Sequence, residues 1–130
     1  MDRESVVTVL TQANHGVEDY TLELHYDLAD PLVVSMTFGA IDCESVEWRV
    51  AREMLFDGLI GRTGIGDVQF WPYPENKLAI WLENEEWGTY LTADANDVRV
   101  FLRKTEMLLP LGQEEALVFA ELDRDLAELL

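Results

Sequence analysis

A period of two in the apolar side chains runs from Val7 to Val50, and it dictates strands that bury one face and wet the other. Val7, Val9 and Thr11 share a face of a first strand; Leu22, Leu24 and Tyr26 share a face of a second. Asp27-Leu28-Ala29-Asp30-Pro31 then reads as a turn, because Asp tolerates turn conformations while Pro31 presets its own φ and restricts Asp30. Leu32 to Phe38 is the third strand, and Val46, Trp48 and Val50 alternate as the fourth. The period then changes. Ala51, Met54, Leu55, Phe56, Leu59 and Ile60 fit a short helix closed by Gly61.

The same order returns in the second half. A turn from Gly61 to Gly66, with Gly64 at its centre, leads into strands over Val68 to Tyr73, Leu78 to Glu83 and Trp87 to Thr92. Asp94 or Asn96 caps a helix whose apolar positions Val98, Phe101, Leu102, Thr105, Leu108 and Leu109 recur until Pro110 stops it. Gly112 turns the chain. The tail from Gln113 carries Leu122, Leu126, Leu129 and Leu130 at helical spacing, although Leu117-Val118-Phe119 also suits an extended segment. The expected architecture is α+β: two antiparallel sheets, each followed by a helix (ββββα-βββα), plus a C-terminal helix. No long polar linker interrupts the chain, so residues 1–130 form one domain.

Charge narrows the function. Twenty-six acidic residues against nine basic ones give a formal charge of -17, which repels phosphate backbones and anionic lipid headgroups. The acids are interleaved with apolar residues, 48% of the chain, so burial offsets chain entropy and the sequence folds. Cys43 is the one cysteine, which rules out an intrachain disulfide and a thiolate zinc site, and flanking Asp42 and Glu44 suppress its thiolate. Asp2, Arg3 and Glu4 are unlike the start of a secretory signal, and no apolar run reaches membrane-spanning length, so a cytoplasmic protein without membrane insertion is expected.

Groups for catalysis are sparse. His15 falls in a turn and His25 on a strand. Glu83, Glu85 and Glu86, like Asp123 and Asp125, lack the spacing and glycine of a calcium loop. The glycine-rich turn precedes a strand, not a helix, and has no P-loop lysine, so Gly64 and Gly66 are turn residues. No metal and no cofactor are expected. Recognition is the better use of this inventory. Alternation sets Trp71 and Trp81 opposite Phe70 and Ile80, so both faces of that sheet carry rings, while Trp48 belongs to the core. Trp71 and Trp87 are candidate aromatic anchors for a partner. Arg99 and Arg103, one helical turn apart with Lys104 beside them, form a basic spot that either pairs with nearby carboxylates or docks an acidic partner. Gly112 sets how the last helix leaves the body, whereas Asp30 and Pro31 shape their turn.

An ordered set of short motifs resembles the SsgA-like proteins, which control division-site selection and sporulation septation in filamentous actinomycetes. They are Tyr26-Asp27-Leu28-Ala29-Asp30-Pro31, Val46-Glu47-Trp48 with Ala51-Arg52, Leu55 through Gly58-Leu59, Thr63 through Val68, Trp71-Pro72, Phe101-Leu102 with Thr105, and Pro110 with Gly112. The match is closest to the SsgB branch of that family. The resemblance implies a homotrimer with a fold like that of the whirly and guide-RNA-binding proteins. It implies a non-enzymatic adaptor that acts at division septum sites and recruits the tubulin-like protein FtsZ, positioned by an SsgA-type sister protein. Fold analogy alone offers the alternative of a whirly-like regulator that binds single-stranded nucleic acid. Such binding needs a cationic groove, which the charge of -17 disfavours.

Overall fold

The computed structural model describes residues 5–39, 44–64 and 66–129, so expectations resting on Asp2, Arg3, Glu4, Cys43, Ile65 and Leu130 lie outside it. Seven strands, β1 (Val6–His15), β2 (Glu18–Asp27), β3 (Val33–Gly39), β4 (Val46–Ala51), β5 (Val68–Tyr73), β6 (Lys77–Glu83) and β7 (Gly88–Asp94), alternate with helix α1 (Arg52–Gly58) and are followed by α2 (Ala95–Leu108) and α3 (Glu114–Leu129). The order of elements matches the sequence expectation. Leu117, Val118 and Phe119 are helical, helped by Glu114 and Glu115 in the first turn, where carboxylates suit the positive end of the helix dipole.

The two expected sheets are one. All seven strands form a single antiparallel sheet in the order β4-β3-β2-β1-β7-β6-β5. The joint is short: Ala13 faces Ala93 and Asn14 faces Thr92. The end of β1 pairs with β2 on one edge and offers its other edge to β7. Such a long-range pairing leaves no mark in the period of either strand.

The inner face follows the alternation. Leu22, Leu24 and Tyr26 of β2, Val34, Met36 and Phe38 of β3, Phe70 of β5, and Leu78, Ile80 and Leu82 of β6 are all buried. Helix α2 lies on β1, β6 and β7 through Val98, Phe101 and Leu102. The Asp94 side chain accepts from the amides of Asn96 and Asp97, so Asp94 and not Asn96 is the cap. Helix α1 touches both edge strands, β4 and β5. The sheet curls to allow this, and Arg49, Val50 and Ala51 line one hollow of about 400 Å³ with Gly66, Asp67 and Val68.

Both expected turns are present. Asp27, not Asp30, makes the side-chain turn bond, to the Ala29 amide at 2.8 Å. Asp30 instead accepts from Arg49 at 2.5 Å, and the carbonyl of buried Pro31 accepts the Tyr26 hydroxyl at 3.0 Å. Gly64 (φ +94°) and Gly66 (φ +71°) adopt left-handed backbone before β5. At Gly64 the space is also closed, because a Cβ would fall inside contact distance of the Val68 carbonyl.

Candidate functional site

The candidate partner-binding residues fall in three places. Trp71 is on the outer face of the β5-β6-β7 end of the sheet. Its ring lies 6.3 Å from that of Tyr90, tilted by 44°, and the Arg62 guanidinium sits 4.9 Å over it. Tyr73 continues the row, 6.0 Å from Tyr90 at 40°. Trp81 shares this face, its ring lying against Gly88. The register explains the row: Trp71 and Thr92 flank Ala79, whose methyl leaves room for the large rings around it. A hydrogen bond to Tyr90, then the electrostatic effect of that phenol, raises the pKa of Tyr73, which stays a proton donor at neutral pH.

Trp87 is elsewhere. It is 46% exposed just before β7 and, with Tyr20, Phe38, Trp48 and Leu91, walls an apolar hollow of about 370 Å³ on the inner face. The polar residues at its rim include His15 and Thr89, but the His15 Nδ1 is within hydrogen-bond reach of Thr89 Oγ1 (3.2 Å) and the Tyr90 carbonyl (3.0 Å). His25 sits within 2.8 Å of the Thr8 hydroxyl on the outer face. Among the described residues no cluster of His, Cys, Asp and Glu is arranged to hold a metal ion.

Arg99 is held, though not by the carboxylates expected as its partners. It donates to the amide oxygens of Asn76 and Asn96, each at 3.0 Å, which ties α2 to the β5-β6 hairpin. Arg103 and Lys104 are exposed on α2, and neither takes part in the ion pairs of the described residues. The basic spot is therefore real but small.

The third place is the joint between α2 and α3, and its centre is not among the candidate residues of the sequence. Arg52, at the start of α1, is wholly buried. It forms an ion pair with Glu114, donating from Nη2 and, at 3.1 Å, from Nε. Its Nη1 donates to the Leu109 carbonyl at 2.7 Å and to Thr105 Oγ1 at 3.3 Å, and its plane stands 4.9 Å over the Tyr26 ring. The other oxygen of Glu114 accepts the Gly112 amide at 2.8 Å. One cation thus fastens β2, the end of α2, the turn and the first residue of α3. The signal was present: Arg52, Leu55 and Leu59 occupy the same helical stripe, so an arginine stands where the pattern calls for an apolar side chain.

Burial pushes the Glu114 pKa up, but the Arg52 hydrogen bond and charge, with the backbone amides, outweigh it and hold the carboxyl below its ordinary value. Burial also raises the Tyr26 phenol, against the opposing charge of Arg52. Gly112 has φ +93° with open space where a Cβ would point. Gly112→Ala is expected to cost about 1 kcal/mol through backbone strain alone, leaving the far-ultraviolet circular dichroism unchanged; urea titration measures it. Beyond the joint, α3 makes few contacts with the body, and it exposes Val118, Phe119, Leu122 and Leu126 along one side.

The family described as "Streptomyces sporulation and cell division protein, SsgA" matches residues 21–114, from β2 to the carboxylate that anchors α3. Sporulation-specific cell division protein SsgB of Streptomyces coelicolor is 37% identical over 110 residues, 82% of this chain and 79% of the relative. Its namesake from Thermobifida fusca is 36% identical over 108 residues, 81% and 77% of the two chains. A crystal structure of an SsgA-like sporulation-specific cell division protein from T. fusca superposes with a TM-score of 0.79 at 29% identity, covering 99% of this chain and all of that one. A structure from work on SsgB mutations that correlate to longitudinal cell division during sporulation of S. coelicolor gives 0.77 at 31%, over 88% and 99%. The chain belongs to the SsgA family of sporulation and cell-division proteins.

Proposed function

We propose that this protein is a non-enzymatic adaptor that helps recruit or position FtsZ at sporulation septum sites, acting as a cytoplasmic homotrimer together with an SsgA-type sister protein. Its relatives named SsgB are sporulation-specific cell division proteins, which supports a role in septation. The observation that carries the adaptor reading is the outer aromatic row of Trp71, Tyr73 and Tyr90. Rings of this kind, rigid and amphipathic, supply binding energy at protein interfaces. The exposed apolar side of α3 is the surface that assembly into a trimer would cover.

The test is a titration of the full chain against FtsZ from the same source at physiological salt, with light scattering to report mass. Saturable binding by a trimer is expected, and it should fall at least tenfold in a Trp71→Ala variant. A folded protein that binds FtsZ neither alone nor with the sister protein present would overturn the reading. A single-stranded oligonucleotide serves as the control, and no binding to it is expected.

A further inference from the structure

The apolar hollow beside Trp87 is built by register at one end of the curled sheet. Phe38 faces Val46, Trp48 faces Met36 and Leu82 faces Thr89, so inner-face side chains from both halves of the sheet converge on one space. Helix α2 does not reach it. The helix begins at Thr11, whose hydroxyl donates to Asp97 at 2.6 Å, and ends near Tyr26, which pairs with Val7, through the contacts of Arg52 with Thr105, Leu109 and the Tyr26 ring. It thus runs away from His15 and leaves that end of the inner face bare. Val46, 50% exposed, and the half-exposed Trp87 are the walls so uncovered.

The Trp87 backbone is fixed all the same. Asn84 Oδ1 accepts from the amides of Glu86 and Trp87 at 2.8 and 2.9 Å, and the Asn84 N–H donates to the Trp87 carbonyl at 2.8 Å. A wall held in place beforehand costs little to order on binding. At about 370 Å³ the hollow stands at the small end of ligand sites, with room for one or two bulky side chains.

Charge says what must flank those side chains. The Tyr20 hydroxyl donates to Glu18 at 2.6 Å, Glu85 and Glu86 immediately precede Trp87, and Glu44 stands two residues before Val46. None of the chain's nine Lys and Arg residues falls within residues 15–20, 44–48 or 82–91, the three segments that carry most of the walls. A phosphate backbone is repelled here, and a second copy brings its own excess of acid. An apolar centre with carboxylates on three separate turns complements a chain with cations on both sides of an apolar anchor.

We propose that this hollow binds a basic segment of a partner protein, with a bulky apolar side chain seated against Trp48 and Trp87 and flanking Lys or Arg residues facing Glu18, Glu44, Glu85 and Glu86. The surface lies on the opposite face of the sheet from Trp71, and it shares with the adaptor reading only that the partner is a protein.

The probe is a synthetic peptide of about ten residues, a Leu-Phe pair with two lysines on either side and glycine elsewhere, titrated into the full chain by calorimetry. Saturable binding that weakens with added salt is expected. Replacing Leu-Phe by Gly-Gly, or the lysines by glutamates, should each weaken it at least tenfold, as should Trp87→Ala in the protein. Glu85→Gln with Glu86→Gln, on an exposed turn where folding is not at stake, should weaken it several-fold. Absence of binding at millimolar peptide, or an unchanged affinity in both variants, would overturn the proposal. Equal binding of the Gly-Gly peptide would overturn it too, since net charge alone would then attract the lysines, and so would equal binding of the glutamate peptide. A Trp87→Ala variant that loses mass by light scattering while keeping its affinity for the peptide would equally overturn it, because the hollow would then be a contact between copies. If the peptide fails while FtsZ still binds, this inference falls and the adaptor reading stands; if FtsZ fails while the peptide binds, the converse holds.

Discussion

Glu114→Ala is expected to destabilise the fold by about 3–5 kcal/mol, because it strips the counter-charge from an arginine that is wholly buried. In a chain of this size that is a fall in Tm of about 10–20 °C. The loss also releases the Gly112 amide and frees the base of α3, so helical signal should drop before the sheet unfolds. A double variant, Arg52→Met with Glu114→Leu, should recover most of the stability, since an apolar pair leaves no charge unsatisfied. The pH dependence has a definite sign. A carboxyl whose folded pKa is depressed contributes stability that is present above its unfolded pKa and is lost as pH falls through the folded one. Urea titrations should therefore show the gap between wild type and Glu114→Gln full at neutral pH and closing in acid, below the ordinary carboxylate range. A gap that stays constant with pH would mean that Glu114 acts by shape alone.

The second large effect is expected at Gly64. Alanine there meets two costs, left-handed backbone at about 1–2 kcal/mol and an overlap with the Val68 carbonyl at about 1–3 kcal/mol. Gly66→Ala, with positive φ but open space, meets only the first. Chemical denaturation of the two variants should separate them by about 2 kcal/mol, with Gly64→Ala the weaker protein. Equal losses would show that the loop relaxes away from β5 when a methyl is added.

Local pattern made most of the fold legible. Alternation at Leu22, Leu24 and Tyr26 and at Phe70 named the buried face, and the change of period after Val50 named α1. Strand β5 runs through Pro72, which a strand at the edge of the sheet tolerates. The joining of two half-sheets into one was not legible, because pairing between Ala13 and Ala93 depends on where two distant strands end. The site divided in the same way. Trp71 lies on an outer face, as its neighbours required, and Gly112 does turn between helices. Trp87 went to the opposite side of the sheet from Trp71, which no single-strand period reveals. Arg52 was half legible: its place in an apolar helical stripe marks it, but its partners at Leu109 and Glu114 lie far along the chain, where no local period names them.

The narrow seam between β1 and β7 has a kinetic consequence. Every other strand pair joins neighbours in sequence, whereas this one must bring residues 13 and 93 together, the longest loop that any strand pair closes and the one with the largest chain-entropy cost among them. Hairpins β1-β2 and β6-β7 can form early and locally, each on its own half of the chain. Joining the halves across residues of small side chain then offers little enthalpy until α2 has settled over both. The seam should therefore form on the native side of the folding barrier, so that weakening it speeds unfolding and leaves the refolding rate almost untouched.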